Sequence, residues 1–218
     1  AMSPAARFAA LVLSIAVAGS AVHAQVADGP AAAPALDPGA LAAPLVDVTA
    51  PAGSPAVTVA DRRGAGGLAV VFLSNACPYV LDWADRIPRL AAQAAERGVG
   101  LILVNSNAGK RRAMDSPEEM VRFAERYLGD LPYFLDEGAR LADLLGAERT
   151  PEAFLFDADL RLAYRGPFDD HSGPFDRVTA HWLRDAVDAM VLGEVEAPES
   201  QPALGCKVQR PRRRAKRQ

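Results

Sequence analysis

The chain has 218 residues, half of them hydrophobic and 23% charged, with a formal net charge of −3. That balance excludes a disordered or fibrous chain and suits one globular domain with a sizeable core. Two cysteines and three histidines exclude a disulfide-dense scaffold and leave no paired spacing for a structural zinc or copper site.

The charge is unevenly spread. Lys207, Arg210, Arg212, Arg213, Arg214, Lys216 and Arg217 carry +7 and Arg7 carries +1, which leaves residues 25–206 at −11. An acidic body argues against nucleic acid as the main partner. The basic end reads as a solvated tail.

Arg7, the apolar run Phe8–Val17 and the small-x-small triplet Val22-His23-Ala24 have the three parts of a secretory signal peptide over residues 1–24. The protein is therefore expected to be exported, periplasmic or secreted, with no stable membrane insertion after cleavage. Residues 25–44 are rich in Ala and Pro and read as a linker. A single domain is expected over 45–193, followed by an irregular tail over 194–218.

Within the domain, Val57-Thr58-Val59 suggests a short strand, and Asp61–Gly67 a turn. Leu68–Leu73 is a continuous apolar run of strand length, as expected for a central strand covered on both faces. A helix is predicted from Pro78, with Val80, Trp83, Ala84, Ile87, Leu90, Ala91 and Ala94 inward, stopping before Gly98. Pro88 inside it predicts a kink. Val99–Asn105 is a second buried strand, and Asn105–Gly109 a polar loop at its end.

Ser116-Pro117-Glu118-Glu119 reads as a capping box, with Met120, Val121, Ala124, Tyr127 and Leu128 inward. A short strand at Tyr133–Leu135 and a short helix at Ala139–Leu145 follow. Ala153–Phe156, the turn Asp157-Ala158-Asp159 and Leu160–Tyr164 predict an antiparallel hairpin. A last helix is predicted from about Asp176 to Leu192. The order implies an α/β fold with a mixed sheet, parallel at first with an antiparallel hairpin edge, flanked by helices. Function in such sheets sits at the carboxyl ends of strands, where Cys77 and the Asn105–Gly109 loop lie.

Cys77 stands where an apolar strand gives way to a helix, and a helix start favours a thiolate. A redox nucleophile and half of a static disulfide are both open readings. Ser74 is either a hydrogen-bond donor to that thiolate or a plain strand-end cap. His171, with Asp169 and Asp170, reads as a loop rather than a metal site, and His181 as a helix-surface residue. Gly64-Ala65-Gly66-Gly67 precedes a strand instead of opening a helix, so it is not a phosphate loop.

Several fragments in a shared order carry a family resemblance. They are Ser74-Asn75-Ala76-Cys77-Pro78-Tyr79, Val104-Asn105-Ser106-Asn107, Asp115-Ser116-Pro117-Glu118-Glu119-Met120, Thr150-Pro151-Glu152-Ala153-Phe154-Leu155-Phe156-Asp157, Tyr164-Arg165-Gly166 with Asp169-Asp170, and Leu204-Gly205-Cys206. With them the chain resembles the thioredoxin fold over about residues 45–208, and more narrowly its peroxiredoxin-like (redoxin) branch.

The resemblance places Cys77 at the second cysteine of the thioredoxin C-x-x-C, which is also the peroxidatic position. Ser74 takes the first-cysteine position, so the motif is S-x-x-C and a local dithiol is ruled out. Pro151 matches the cis-proline beside the thiol, and Cys206 a tail cysteine that recurs in this branch. Val70 stands where peroxiredoxins carry a proline, and Arg149, Arg165 and Arg177 are all candidates for their active-site arginine.

What the resemblance implies is a thiol-based oxidoreductase. Its substrate would be a peroxide or a disulfide, its electrons would come from an unidentified thiol reductant, and it would need no cofactor or metal. Cys77 would attack and Cys206 would resolve. The alternative is a non-catalytic binding or structural module with a permanent Cys77–Cys206 disulfide. A metal-handling protein using Cys77, Cys206 and His171 is a third reading.

Overall fold

The computed structural model describes residues 47–49, 56–110, 113–193 and 198–211. The expected signal peptide and linker lie outside the described residues. A five-stranded mixed sheet organises the rest. Strand β3 (Gly67–Leu73) is its centre, and every residue in it is buried. It pairs in parallel with β4 (Val99–Asn105) and antiparallel with β7 (Glu152–Phe156). Strand β5 (Tyr133–Leu135) extends the parallel side, and β8 (Leu162–Gly166) closes the hairpin edge, giving the order β5-β4-β3-β7-β8. A small separate ladder joins β1 (Asp47–Val48) to β2 (Val57–Thr58).

The uninterrupted apolar run of β3 follows from two-sided burial. Alternate side chains leave a strand on opposite faces. Ala69, Val71 and Leu73 pack with Trp83, Ile87, Leu103, Leu183 and Val187 on one face. Leu68, Val70 and Phe72 pack with Ile102, Phe154, Phe156, Leu141 and Leu145 on the other.

The long predicted helix is two helices, α1 (Pro78–Trp83) and α2 (Ile87–Glu96), joined by a 3-10 turn over Ala84–Arg86. Pro88 brings the expected interruption, placed upstream of itself. It has no N–H to donate, and its ring would press on the carbonyl of Ala84, four residues back. The break is tied to the later loop by Asp169, which accepts from the Trp83 indole at 2.7 Å and pairs with Arg86 at 2.7 Å.

Helix α3 (Pro117–Phe123) begins as its capping sequence dictates, with Glu119 N donating to the Ser116 hydroxyl at 3.2 Å. The Ser116 N–H goes to the Ala113 carbonyl instead, so half of the expected capping box forms. The helix then widens into a π turn over Ala124–Leu128. Before that turn, Met120 and Phe123 are buried, and Val121, expected inward, is 36% exposed. Helix α4 (Arg140–Leu145) follows β5.

The hairpin turn is fixed by Asp157, whose carboxylate accepts from Asp159 N and Arg161 N. The last helix, α5 (Trp182–Leu192), starts six residues later than expected. Asp170 accounts for the delay. Its carboxylate accepts from the backbone and hydroxyl of Thr179, and its own N–H donates to the Ala180 carbonyl. Those bonds hold 178–180 out of a helix and lower the Asp170 carboxyl to about 2, the Thr179 hydroxyl being the main cause.

The tail departs most from expectation. Its described residues are irregular except for Cys206–Lys207, which form a strand, and the residues around that strand are docked on the domain. Strand β6 (Arg149–Thr150) pairs antiparallel with β9 (Cys206–Lys207), in the register Thr150 to Cys206 and Arg149 to Lys207. Val208 is buried with Leu141 and Leu145, and its N–H donates to the Glu148 carbonyl at 2.9 Å. Gln209 exchanges two bonds with the loop after β4, through the Asn107 side chain and Gly109 N. Arg210, read as part of a solvated end, pairs with Asp143 and donates to the Ala147 carbonyl.

Candidate active site

Cys77 is the N-cap residue of α1, immediately beyond the carboxyl end of β3, and only 1% of it is exposed. The turn that presents it is closed by the Cys77 N–H donating to the Ser74 carbonyl at 3.1 Å. The Cys77 thiol donates to the Thr150 carbonyl at 2.9 Å. Thr150 precedes Pro151 through a cis peptide bond, the arrangement that the family resemblance, not the residues alone, implied, and the Thr150 carbonyl faces the thiol. The Thr150 hydroxyl is buried with no hydrogen-bond partner among the described residues.

The same residue receives the second cysteine. Thr150 and Cys206 are directly opposed in the β6–β9 ladder, and the half-buried Cys206 thiol lies within hydrogen-bonding reach of Cys77. Both thiols are free. Burial, then the contact with Cys77, pushes the Cys206 thiol up to about 11, and the nearby Arg149 charge partly offsets this.

Gly205 permits this approach. Its φ is +144, and a Cβ there would lie 2.1 Å from the Thr150 carbonyl oxygen. Only glycine fits that conformation at that distance.

Ser74 does not serve the thiol in this arrangement. Its hydroxyl donates to Asp115, at 3.0 and 3.2 Å to the two carboxylate oxygens. Asp115 is completely buried and also accepts from Asn75 N and the Asn105 side chain, each at 2.8 Å. The Tyr133 hydroxyl closes the circuit, donating to Asn75 at 2.8 Å and accepting from Asn105 at 3.0 Å. A buried carboxylate is tolerable when its lone pairs are filled in this way. The network therefore fixes the Ser74–Cys77 turn from β4, β5 and the start of α3. The sequence places Asn105 in a polar loop at a strand end and Asn75 and Asp115 in the family-like fragments, but assigns no role to any of them or to Tyr133. The one signal present was polar residues just past the ends of two otherwise apolar strands.

The three candidate arginines separate clearly. Arg149 stands on β6 and donates to the Gly205 carbonyl at 2.9 Å, beside Cys206. Arg165 is engaged with the buried Glu152 carboxylate at 2.6 Å and with the Gly146 carbonyl. Arg177 lies in a 3-10 turn before α5. A polar cavity of about 360 Å³ is lined by Glu148, Arg149, Glu152, Arg165 and residues 200–203.

His171 is half-buried and uses its backbone carbonyl to accept from Trp83 and Arg86. Among the described residues, no three His, Cys, Asp or Glu side chains are placed to share a metal ion, and no helix is long and apolar enough to cross a membrane.

Solved structures share this fold over most of the chain. A hypothetical protein of Sinorhizobium meliloti 1021 is 30% identical, with a TM-score of 0.72 over 82% of this chain and 97% of that one. An uncharacterized conserved protein of Geobacillus kaustophilus is also 30% identical, with a TM-score of 0.73 over 83% and 95%. A putative thiol:disulfide interchange protein DsbE of Chlorobium tepidum shares the fold at 16% identity, with a TM-score of 0.54 over 73% and 98%. No curated protein sequence matches the chain. The family model described as Redoxin matches residues 33–180, a span that holds the thiol turn, the buried network behind it and the cis-proline loop. With a thioredoxin-type sheet and that match over more than half its length, the chain belongs to the redoxin family.

Proposed function

We propose that the protein is an exported thiol–disulfide oxidoreductase whose working couple is Cys77 and Cys206. The observation that carries this reading is the shared seat at Thr150, which accepts a hydrogen bond from one thiol and pairs in a β-ladder with the residue bearing the other. Two free, adjacent thiols at the carboxyl end of a central strand are placed to gain and lose a disulfide. Reduction of a substrate disulfide balances as two protein thiols plus R–S–S–R giving one protein disulfide and two R–SH, with two electrons passing to the substrate. An outside thiol reductant then returns the protein disulfide to two thiols and is itself oxidised to a disulfide. Arg149 stabilises negative charge on the Cys206 side, and the Asp115 network holds Cys77 in place.

The surroundings of Cys77 favour disulfide over peroxide as the substrate. Peroxide cleavage needs donors aimed at the leaving oxygen. The described partners of this sulfur are the Thr150 carbonyl, an acceptor, and the Cys206 thiol, a weak donor, while the Ser74 hydroxyl is committed to Asp115. Pro151 shapes the loop against which a substrate chain would lie.

The test is turnover of a model peptide disulfide and of hydrogen peroxide by the wild type, Cys77→Ser and Cys206→Ser. The expected result is disulfide turnover in the wild type, loss in both variants, and little peroxide turnover in any. A Cys77–Cys206 bond that resists millimolar dithiothreitol would instead favour the stapled, non-catalytic module.

A further inference from the structure

We infer that outside thiols exchange with this protein at the sulfur of Cys206, with Cys77 as the internal sulfur, the reverse of the order expected from the sequence. The inference rests on the proposed Cys77–Cys206 couple and assigns its two ends.

Access carries the inference. A thiolate must approach a disulfide sulfur in line with the bond it breaks. Cys77 is 1% exposed, held under the Thr150 carbonyl at the base of α1. Cys206 is half-buried on a strand that pairs on one side only, with β6. Two residues before it, Leu204 is 51% exposed, so the chain leading to Cys206 lies at the surface. The polar cavity lined by Arg149 flanks the same strand pair, and a guanidinium there attracts an incoming thiolate.

The sequence of bonds is then complete. An external thiolate R–S⁻ bonds to Cys206 Sγ, and the Cys206–Cys77 bond breaks with its electron pair going to Cys77. A second R–S⁻ attacks the sulfur of the R group in the mixed disulfide and releases Cys206, giving R–S–S–R. The two protein thiolates take two protons from solvent. Cys206 thus occupies in space the role that Ser74 removes from the local motif.

The test uses the full-length oxidised protein and reduced glutathione in excess. Samples are quenched in acid within the first seconds, and peptide mass mapping locates the glutathione adduct. Adduct on Cys206 in at least about tenfold excess over Cys77 is the expected result. Adducts spread equally, or mainly on Cys77, in a protein whose disulfide still opens and recloses, overturn the inference and leave the redox couple standing. A disulfide that glutathione does not open at all overturns both.

Discussion

Gly205→Ala is the sharpest probe of how the two thiols are brought together. The added Cβ would lie 2.1 Å from the Thr150 carbonyl oxygen and 2.8 Å from its carbon, at a φ of +144. Both atoms are backbone, so no side chain can swing aside. Strain at such a φ costs about 1–3 kcal/mol before any overlap is counted. The docked tail has little margin to absorb it. Burying Val208 contributes about 2 kcal/mol. Net hydrogen bonding at Val208, Gln209, Gly109, Arg149 and Arg210 adds about 1 kcal/mol each. Ordering the six residues 205–210 costs roughly 1–1.5 kcal/mol apiece, so the two sides nearly cancel. A further 2–3 kcal/mol therefore frees the tail, and at 1.4 kcal/mol per factor of ten the effective concentration of Cys206 at Cys77 falls about 30–100-fold. Equilibration in glutathione redox buffers, acid quenching and intact mass read that quantity directly. A variant with the wild-type effective concentration would refute the claim that the β6–β9 ladder delivers Cys206.

Further outcomes follow from the same contacts. Alkylation of Cys206 in the reduced protein, which needs the thiolate, should rise with pH through about 11, not near the ordinary 9. A pH series of iodoacetamide labelling with peptide mapping reads the midpoint. Ser74→Ala should cost about 1–3 kcal/mol of stability in urea melts, because a buried carboxylate loses one donor, while the Cys77–Cys206 bond still forms. Loss of the bond without loss of stability would show that the hydroxyl serves the sulfur. Thr150→Val should raise stability by about 1 kcal/mol, since it replaces a buried, unpartnered hydroxyl with a methyl of the same shape. Glu152→Ala strands the Arg165 guanidinium beside a site that is 2% exposed on the glutamate side and should cost about 3 kcal/mol.

The parts of the fold visible in the sequence are those written in local pattern. Leu68–Leu73 and Val99–Asn105 read as buried strands because both faces of the sheet are covered, and Cys77 stood out at a strand–helix junction. Pro88 announced a break in the helix because a missing N–H is a local fact. What stayed hidden depends on partners far along the chain. Asp115 is about forty positions from the Ser74 and Asn75 groups it holds. The delayed start of α5 comes from a carboxylate nine residues before the N–H it captures. Strand β9 is two residues long, too short for a period, and its pairing exists only where β6 is already in place.

Because β9 draws Cys206 onto Thr150 from the far end of the domain, oxidation would close a loop that contains every strand of the five-stranded sheet except its centre, β3. In the chain-entropy view such closure removes about 4–5 kcal/mol of freedom from the unfolded chain. A thermodynamic cycle requires the same energy to appear in the other direction, as resistance of the folded protein's disulfide to reduction. A local two-residue dithiol has its potential set by the turn that holds it. Here the potential would follow the difference in folding stability between the oxidised and reduced chains, so that a substitution loosening only the docked tail, such as one at Val208, would make the couple easier to reduce, while a core substitution that weakens both forms equally would leave it unchanged.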